Sequence, residues 1–420
     1  MKVAGIIAEY NPFHFGHKYH LQKTREITGA DAIICVMSGN FVQRGEPAIV
    51  DKWSRTKMAL LEGADLVIEL PTVFAVSSAP YFSFAAVNIL NSTGIVDYLC
   101  FASEDGEITP LYDLAILLEK EPVQLSNLIK ENLKAGKSYP KARSDALIAY
   151  YQQIKDNQKD YIGFLTKPNN LLGINYIRAL IKLNSSIKPL TIPRIGSGYY
   201  ETELKGNIAS ATGIRKNIQT NGPQSYLEKS IPSSCLTILL EQFRTGKGPV
   251  WLNNFSQLIL GLLRRSTEEE LALLPDVSEG FERRLKETAD KCINLEELIS
   301  ELKTKRYTWT RIQRTLIHLL LSIDKKYYQL DYLPYLRVLG FNSTGRLLLK
   351  KIKNKAETPI IMSVAEQIKI WQKQKHQPIY KNSLAILQKD ILATDLYQLA
   401  CPEEKHRKAG ADFYHKVIIV

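Results

Sequence analysis

Two histidines separated by a phenylalanine and a glycine stand near the start of the chain, in the string His14-Phe15-Gly16-His17. The continuously apolar residues 3–8 before them are typical of a buried strand, and helical spacing begins at His17. A helix N-terminus beyond the carboxyl end of a parallel strand attracts phosphate. Imidazoles at that place can donate hydrogen bonds to phosphates while charge shifts during displacement at an α-phosphorus. The string therefore predicts nucleotide chemistry with His14 and His17 as catalytic residues, and the alternative is two histidines that only cap or pack at a helix start.

A second segment with phosphate chemistry reads Ser210-Ala211-Thr212-Gly213-Ile214-Arg215. Ser210 is a good N-cap residue, and the start of its helix together with Arg215 can hold phosphates. We predict that Ser210 and Arg215 bind phosphate opposite the histidines. An ordinary capped helix with a solvated arginine is the alternative.

Small polar residues follow the second apolar run, in Ser38-Gly39-Asn40. They offer donors for a compact anion such as acetate, although a tight turn uses the same residue types. Basic residues come soon after, and they are able to meet phosphate or an RNA backbone. This basic group consists of Arg44, Lys52, Arg55 and Lys57. A solvated helix face explains Arg55 and Lys57 equally well.

Short apolar runs alternate with helical spacing through the first half of the chain. The runs are residues 3–8, 32–37, 65–70, 96–102 and 190–195, and the helical stretches include 17–28, 53–63 and 79–90. This alternation predicts an α/β fold with a parallel, doubly wound, Rossmann-like sheet. A longer helical insertion is expected at residues 110–158, and a last strand-to-helix unit at 190–218.

After residue 220 the pattern changes to helical periodicity with almost no strand-like alternation. We therefore predict two domains, residues 1–220 with the nucleotide site and residues 221–420 as a mainly α-helical domain. Residues 303–314 interleave five cations with two aromatic residues, and residues 350–355 add another cationic cluster. Such mixtures suit RNA, because cations meet phosphates and flat groups stack on bases. An amphipathic helix with a wet basic face is the alternative.

The charge balance also favours a polyanionic partner. The chain has 420 residues with 55 Lys and Arg against 43 Asp and Glu, a formal net charge of +12. Its five cysteines form no CxxC pair and no cluster with zinc spacing, so we expect reduced, mostly buried thiols. No segment approaches the length of a membrane span, and the first residues do not look like a signal peptide. We expect a cytoplasmic protein without a membrane partner.

His14-Phe15-Gly16-His17 resembles the HxGH motif of the nucleotidyltransferase superfamily, and the Ser210–Arg215 segment resembles its S-x-T-x-I-R element. Longer strings narrow the resemblance to the bacterial tRNA(Met) cytidine acetate ligase family. They begin at Glu9-Tyr10-Asn11-Pro12-Phe13-His14 and continue in residues 37–47, 64–71, 168–173, 194–199 and 305–311. Several unusual strings occurring in one order make this resemblance specific.

That resemblance implies an ATP-dependent ligase. ATP and acetate would form acetyl-adenylate, and the acetyl group would pass to the exocyclic amine of the wobble cytidine of elongator tRNA(Met), giving N4-acetylcytidine. Mg²⁺ is expected with ATP because it neutralises the phosphates, and the sequence names no protein ligand for a metal. The alternatives are a nucleotidyltransferase that adenylates a small metabolite and a tRNA-binding protein with a vestigial nucleotide site. The intact histidines and Arg215 argue against the last one.

The resemblance also carries an ATP site onto positions of this chain. These positions are Ile7, Ala8, Glu9, Tyr10, Asn11, Pro12, Phe13, His14, Phe15, Gly16, His17, Lys18, Tyr19, His20, Ala102, Asn169, Asn170 and Arg194. The family usually has glycine where Ala102 stands. We expect the extra methyl group to be tolerated, unless the backbone there needs a positive φ.

Overall fold

One mixed sheet positions the loops that hold the candidate residues. The computed structural model describes residues 1–137, 139–154, 164–165, 167–194, 210–223, 225–278, 280–329 and 334–420. Within those ranges the sheet has eight strands, and β3 and β4 form a separate hairpin. The strands are β1 (Val3–Ala8), β2 (Ala32–Ser38), β3 (Phe41–Val42), β4 (Glu46–Pro47), β5 (Leu66–Leu70), β6 (Tyr98–Ser103), β7 (Lys188–Pro193), β8 (Leu336–Phe341), β9 (Ile360–Ile361) and β10 (Ile418–Ile419).

The strand order is β10-β8-β5-β2-β1-β6-β7, with β9 beside β8. Strands β5, β2, β1, β6 and β7 are parallel, so their carboxyl ends share one side of the sheet, here called the carboxyl edge. The central strand β2 is buried at every residue, as expected for a parallel strand covered on both faces, whereas the edge strand β7 is only partly buried. The predicted Rossmann-like α/β architecture is confirmed.

Helices of the first half connect the parallel strands. Helix α1 begins after the N-cap His14 and ends at Gly29, whose φ of 61° is a left-handed conformation that glycine adopts without strain. The predicted insertion forms α5, α6 and α7, and residues 155–158 lie outside the described part of the chain. These helices are α1 (Phe15–Thr28), α2 (Lys52–Leu61), α3 (Thr72–Ala75), α4 (Ala79–Ser92), α5 (Ile108–Lys120), α6 (Val123–Lys134), α7 (Tyr139–Ile154), α8 (Pro168–Lys182) and α9 (Ala211–Asn221).

The second half is mainly helical, as predicted, but its strands were missed. Strands β8, β9 and β10 join the sheet, and β8 runs antiparallel to β5. Strand β8 has only six residues and contains Arg337, so a charge interrupts its apolar run. The helices are α10 (Ser233–Arg244), α11 (Ser256–Arg265), α12 (Glu268–Ala272), α13 (Phe281–Ala289), α14 (Leu295–Leu302), α15 (Trp309–Leu321), α16 (Ser343–Lys355), α17 (Val364–Lys373), α18 (Pro378–Leu399) and α19 (Ala411–Tyr414).

Both halves of the chain contribute to the apolar cores. One core contains Ile34 of β2 together with Leu316 of α15, and the other contains Ile33 of β2 together with Leu239 of α10. Neighbouring residues of one strand point to opposite faces, so the two cores cover the two sides of the sheet. The division at residue 220 stays a prediction, and any such division would cut across shared cores.

The start of α16 shows how closely the second half packs on the first. A Cβ atom on Gly345 would lie 1.9 Å from the Asp65 carbonyl oxygen, so no other residue fits there. Asn342 caps the helix by accepting a hydrogen bond from the Gly345 N–H at 2.9 Å. Its side-chain amide also donates to the Asp65 carboxylate at 3.0 Å. The second half is therefore anchored at the beginning of β5.

Candidate active site

The two histidines lie at the carboxyl edge, where β1 ends and α1 begins. His14 is the N-cap residue, and its Nδ1 atom accepts a hydrogen bond from the Gly16 N–H at 3.0 Å. The Nδ1 atom of His17 accepts from the His14 N–H at 3.3 Å. The two side chains thus satisfy backbone donors that a first helical turn leaves free. Their rings stack, with 3.8 Å between centroids and 27° between planes.

These hydrogen bonds select one tautomer for each ring. Because Nδ1 is the acceptor in both, a neutral imidazole carries its proton on Nε2. Burial, and to a lesser extent the nearby Arg194 charge, lowers the pKa of His14 to about 4. Burial also lowers the pKa of His17 well below its ordinary value, with smaller contributions from His14 and His20. At neutral pH both residues are therefore uncharged Nε2–H donors.

His20 is the third histidine on this side of α1, one turn beyond His17. Burial lowers its pKa to about 4, against a hydrogen bond with the Cys100 backbone that raises it. Its Nε2 atom is buried and has no hydrogen-bond partner among the described residues. Buried polar atoms normally have a partner, so His20 keeps one ring nitrogen for a polar group beside the pair.

The loop before His14 is held by packed side chains. Tyr10 adopts a φ of 49°, and its hydroxyl lies 3.3 Å from the Cys35 sulfur. The Tyr10 ring meets the His17 ring edge-on, with 4.9 Å between centroids. The Asn11–Pro12 peptide is cis, and the Asn11 side chain accepts from the Ile49 N–H at 2.8 Å. The histidines thus stand on a loop whose side chains are buried against β2 and the segment before α2.

Asn169 and Asn170 open α8 and interlock with the turn after β6. The Glu104 carboxylate accepts from the backbone N–H of Asn169 at 3.1 Å and of Asn170 at 2.8 Å. The Asn170 side-chain oxygen in turn accepts a hydrogen bond from the Glu104 backbone N–H at 3.0 Å. A carboxylate at a helix N-terminus is favourable because the free N–H groups carry partial positive charge. Sequence reasoning missed Glu104, and an acidic residue directly after a strand was the signal for it.

Arg194 connects this turn with the histidines. Its guanidinium donates to the Asn169 side-chain oxygen at 2.9 Å, and its backbone N–H donates to the Ser103 carbonyl at 2.9 Å. The same positive charge lowers the pKa of all three histidines, which places it close to them. Ala102 lies in β6 paired with Ile192, and it is not among the residues with positive φ. The backbone at Ala102 therefore does not require glycine.

Arg215 reaches the histidine loop from α9. Its guanidinium donates to the Asn11 carbonyl at 2.7 Å and pairs with Glu46 at 2.5 Å. Ser210 caps the same helix by accepting from the Gly213 N–H at 3.1 Å, and it is exposed. The capped helix was expected from sequence. Phosphate binding by either residue stays a prediction, and residues 195–199 of the family strings lie outside the described residues.

The predicted basic group after β2 is half exposed and half buried, with Arg44 and Lys57 exposed. The expectation that it meets phosphate or RNA is wrong for Lys52 and Arg55. Both are fully buried. Arg55 donates to the Glu9 carbonyl at 2.7 Å, the Ser38 carbonyl at 2.9 Å and the Val50 carbonyl at 3.1 Å. It also donates to the Gly39 carbonyl. Arg55 is thus the internal brace that joins the loops after β1 and β2.

The Ser38-Gly39-Asn40 turn is also engaged internally. Asn40 accepts from the Lys52 N–H at 2.8 Å and donates to Thr394 at 3.2 Å. Among the residues that the structure describes, the buried Ser38 hydroxyl has no partner. These contacts favour the tight-turn interpretation for Asn40 and leave the Ser38 hydroxyl as the free polar atom of the turn.

A buried cluster of charges that the sequence did not predict lies next to this turn. Lys52 pairs with Glu69 at 2.9 Å and with Asp412 at 2.8 Å. Arg337 pairs with the same two carboxylates, 3.1 Å from Glu69. The two cations hold the pKa of Asp412 at about 2 despite its burial. The cluster ties β8 and α19 to α2 and β5, because breaking any pair would leave a buried charge uncompensated.

In the basic segment at residues 303–314, some cations are exposed and others are bonded to neighbouring residues of the protein. Lys303 and Lys305 are exposed. Arg311 donates to the Asp276 carbonyl at 2.8 Å, and Arg314 pairs with the Asp276 carboxylate at 2.8 Å. Tyr307 is buried. The arginines therefore have structural partners, and the exposed lysines remain as candidates for RNA phosphates.

Other expectations concern metals, membranes and cysteines. No group of three or more His, Cys, Asp or Glu side chains with metal-binding geometry occurs among the described residues. None of the described helices is long and apolar enough to span a membrane. All five cysteines are free and buried, as predicted.

Comparisons with known proteins agree with the resemblance in the motifs. The family model described as HIGH Nucleotidyl Transferase matches residues 1–412. The tRNA(Met) cytidine acetate ligase of Acetivibrio thermocellus is 44% identical over 429 residues, covering 100% of both chains. That of Thermoanaerobacter sp. (strain X514) is 46% identical over 422 residues, again covering 100% of both.

Two solved structures have the same fold over the whole chain. The crystal structure of Thermotoga maritima TmcAL bound with alpha-thio ATP superposes with a TM-score of 0.93 at 34% sequence identity, covering 100% of this chain and 99% of that one. The apo crystal structure of the same protein gives a TM-score of 0.94 at 34% identity, covering 100% of both chains.

Proposed function

The chain belongs to the HIGH nucleotidyltransferase family, and from that premise we propose that it is an ATP-dependent acetate ligase acting on tRNA(Met). The observation that carries the proposal is the His14 and His17 pair, both held as neutral Nε2–H donors at a helix N-terminus on the carboxyl edge. Whole-length relatives named tRNA(Met) cytidine acetate ligase support the substrate. They favour this function over the adenylation of a small metabolite.

The first step activates acetate. An acetate oxygen attacks the α-phosphorus of ATP, the bond to the β-phosphate oxygen breaks, and pyrophosphate leaves. The attacking and leaving groups are both anionic, so negative charge builds on the phosphate oxygens. The Nε2–H groups of His14 and His17 donate to these oxygens without giving up a proton, because their low pKa values keep them neutral. Arg194 adds a positive charge that acts on both of these histidines.

The second step transfers the acetyl group. The exocyclic N4 amine of the wobble cytidine of elongator tRNA(Met) attacks the acetyl carbonyl of the adenylate. The carbon–oxygen bond to AMP breaks, AMP leaves, and the amine loses one proton to solvent. The product is N4-acetylcytidine. A tRNA substrate implies that the protein works in the cytoplasm.

The ATP site is proposed at the residues carried over from the family, from Ile7 to His20 with Ala102, Asn169, Asn170 and Arg194. Their support is that Arg194 donates to Asn169 and that its charge lowers the pKa of His17. A helix N-terminus with two neutral hydrogen-bond donors and one nearby cation is suited to bind the phosphates of a nucleotide. Mg²⁺ accompanies ATP in the proposal and would be held mainly by the phosphates, as this ion commonly is.

RNA binding is proposed mainly for residues 221–420. The exposed Lys303 and Lys305, and the exposed Lys350 and Lys351 on α16, support it by their charge. The shared apolar cores mean that this half is not a freely attached module. It presents its cations to RNA from a body rigidly joined to the ATP loops.

The decisive experiment supplies purified protein with ATP, labelled acetate and total bacterial tRNA, without acetyl-coenzyme A. We expect label in tRNA(Met) alone, at the wobble cytidine, and loss of label when ATP is omitted. A His17→Ala variant is the negative control. Label in no RNA species would refute the ligase function, and acetate-dependent pyrophosphate exchange without RNA labelling would favour the small-metabolite alternative.

A further inference from the structure

Two tyrosines outside the proposed ATP site form the shared wall of two cavities. Tyr81 in the first turn of α4 and Tyr328 in the 3-10 turn Lys325–Gln329 line one cavity of about 320 Å³ and another of about 200 Å³. Their rings lie 4.6 Å apart between centroids, with 32° between planes. Tyr81 is 47% exposed, whereas the Tyr328 hydroxyl donates to the Val73 carbonyl at 2.8 Å. We call this region the tyrosine groove, and Tyr328 is its fixed side.

The charges around the tyrosine groove favour an anionic ligand. Its two carboxylates are already neutralised, because Asp276 pairs with Arg314 at 2.8 Å and Glu119 pairs with Arg178 at 3.1 Å. Lys325 lines the first cavity and Lys182 the second. Among the residues that the structure describes, neither lysine forms a salt bridge with a carboxylate. Lys325 donates to the Ala272 carbonyl at 2.8 Å and the Val277 carbonyl at 3.0 Å, and Lys182 lies over the Phe84 ring at 5.0 Å. The groove therefore presents an aromatic surface between two cations whose charge no carboxylate of the described residues neutralises.

His318 supplies a polar group inside the first cavity. Its side chain is 0% exposed, and its Nε2 atom lies 2.7 Å from the Val76 carbonyl oxygen. Burial lowers the pKa of His318 to about 4, although Asp276 raises it, so the ring is neutral and Nε2 carries the proton. The Pro275 backbone carbonyl also raises the pKa of His318, so the ring lies between two backbone carbonyl groups.

Part of the groove lies at the start of α4, in the chain segment that follows the carboxyl end of β5. Ser78, which lines the first cavity, belongs to the segment that follows β5. Strand β5 stands two places from β1, so their carboxyl ends are about 10 Å apart at the usual spacing between strands. The chain segments that lead to the groove and to the histidine pair therefore start close together at the carboxyl edge.

We propose that the tyrosine groove stacks an unpaired base of the tRNA loop, beside the cytidine that receives the acetyl group. Loop bases can be splayed out and stacked on aromatic rings, while lysines contact the flanking phosphates. This inference rests on the proposed function, because it assigns a binding place to the same substrate. The groove would hold the loop in register while the histidine pair acts on ATP.

The test compares three variants with wild-type protein. Tyr81→Ala removes the exposed ring, Tyr81→Phe keeps it, and Tyr414→Ala removes a tyrosine that is 58% exposed and lies outside the groove. The probe is a stem-loop with the tRNA(Met) anticodon sequence, carrying 2-aminopurine at each unpaired position in turn. Stacking quenches its fluorescence. Affinity for full-length tRNA(Met) and acetate-dependent ATP–pyrophosphate exchange without RNA are measured alongside.

We expect quenching at one loop position with wild type and Tyr81→Phe, and its loss with Tyr81→Ala. Stacking of one base is worth enough to weaken tRNA binding about 5- to 150-fold in Tyr81→Ala. Tyr414→Ala should bind as wild type, and exchange should be equal in all four proteins. Unchanged tRNA affinity and quenching in Tyr81→Ala would overturn the inference, even if transfer slowed. Wild-type protein that neither binds nor acetylates tRNA would instead refute the proposed function, before any variant is compared.

Discussion

His17 serves both the helix and the proposed chemistry, and two substitutions separate these roles. Asparagine places an oxygen near the position of Nδ1, so His17→Asn keeps an acceptor for the His14 N–H and removes the Nε2–H donor. Glutamine places a donor near the position of Nε2, so His17→Gln keeps the donor and loses the cap. If the Nε2–H donor stabilises charge on the phosphate, losing it should reduce exchange activity more than losing the capping hydrogen bond does.

The magnitudes of the two effects differ enough to be measured. One capping hydrogen bond contributes about 1 kcal/mol to stability, a small part of the roughly 5–15 kcal/mol of a folded protein. One donor to a developing oxyanion contributes about 3–4 kcal/mol to the barrier, a factor of about 100 to 1,000 in rate. His17→Asn should therefore remain folded and lose exchange activity about 100-fold or more. His17→Gln should lose more stability and less activity.

Acetate-dependent ATP–pyrophosphate exchange measures adenylate formation without RNA, and urea denaturation measures the free energy of unfolding. His376→Ala, on an exposed histidine, is the matched control and should leave both unchanged. Exchange in His17→Asn within a few-fold of wild type would show that the donor is not catalytic. Equal losses of activity and stability in both variants would show that His17 is only structural.

The remaining predictions concern pH, the loop brace, the RNA charge and the family glycine. The pKa of His14 is lowered to about 4 in the folded protein, so the stability that neutral His14 contributes is complete above pH 6.5 and disappears as the pH falls towards 4. Urea denaturation across that range should show that the free energy of unfolding decreases as the pH decreases. Arg55→Met should lower the free energy of unfolding by at least about 3 kcal/mol in the same assay, because buried carbonyl groups lose their donor. A decrease of less than about 1 kcal/mol would contradict the role of Arg55 as a brace. The double change Lys303→Gln and Lys305→Gln should flatten the salt dependence of tRNA binding by up to about two units of slope while exchange persists, and an unchanged slope would assign these lysines to a solvated face. Ala102→Gly should leave the KM for ATP within about threefold, since β6 has regular strand geometry there, and a tenfold change would show that the methyl group matters.

The sequence alone was sufficient for the architecture of the first half and for the chemistry of its first loop. Buried parallel strands appear as continuous apolar runs, so β1, β2, β5 and β6 could be located within a few residues. The histidine string could be interpreted because its chemistry is local, since a helix N-terminus and its N-cap involve neighbouring residues. The family resemblance added the ATP positions and the substrate, which local patterns do not contain.

Tertiary structure decided which charged residues are available for function. Lys52 and Arg55 looked like surface cations in the sequence, yet both are fully buried, because their partners come from β5, α19 and the loops after β1 and β2. Strand β8 was missed for the same reason. Arg337 interrupts its apolar run, and only the distant Asp412 and Glu69 compensate that charge. A charged side chain can be buried only where oppositely charged or polar partners surround it, and those partners lie far away in the chain. The local sequence therefore does not show whether such a residue is buried or exposed.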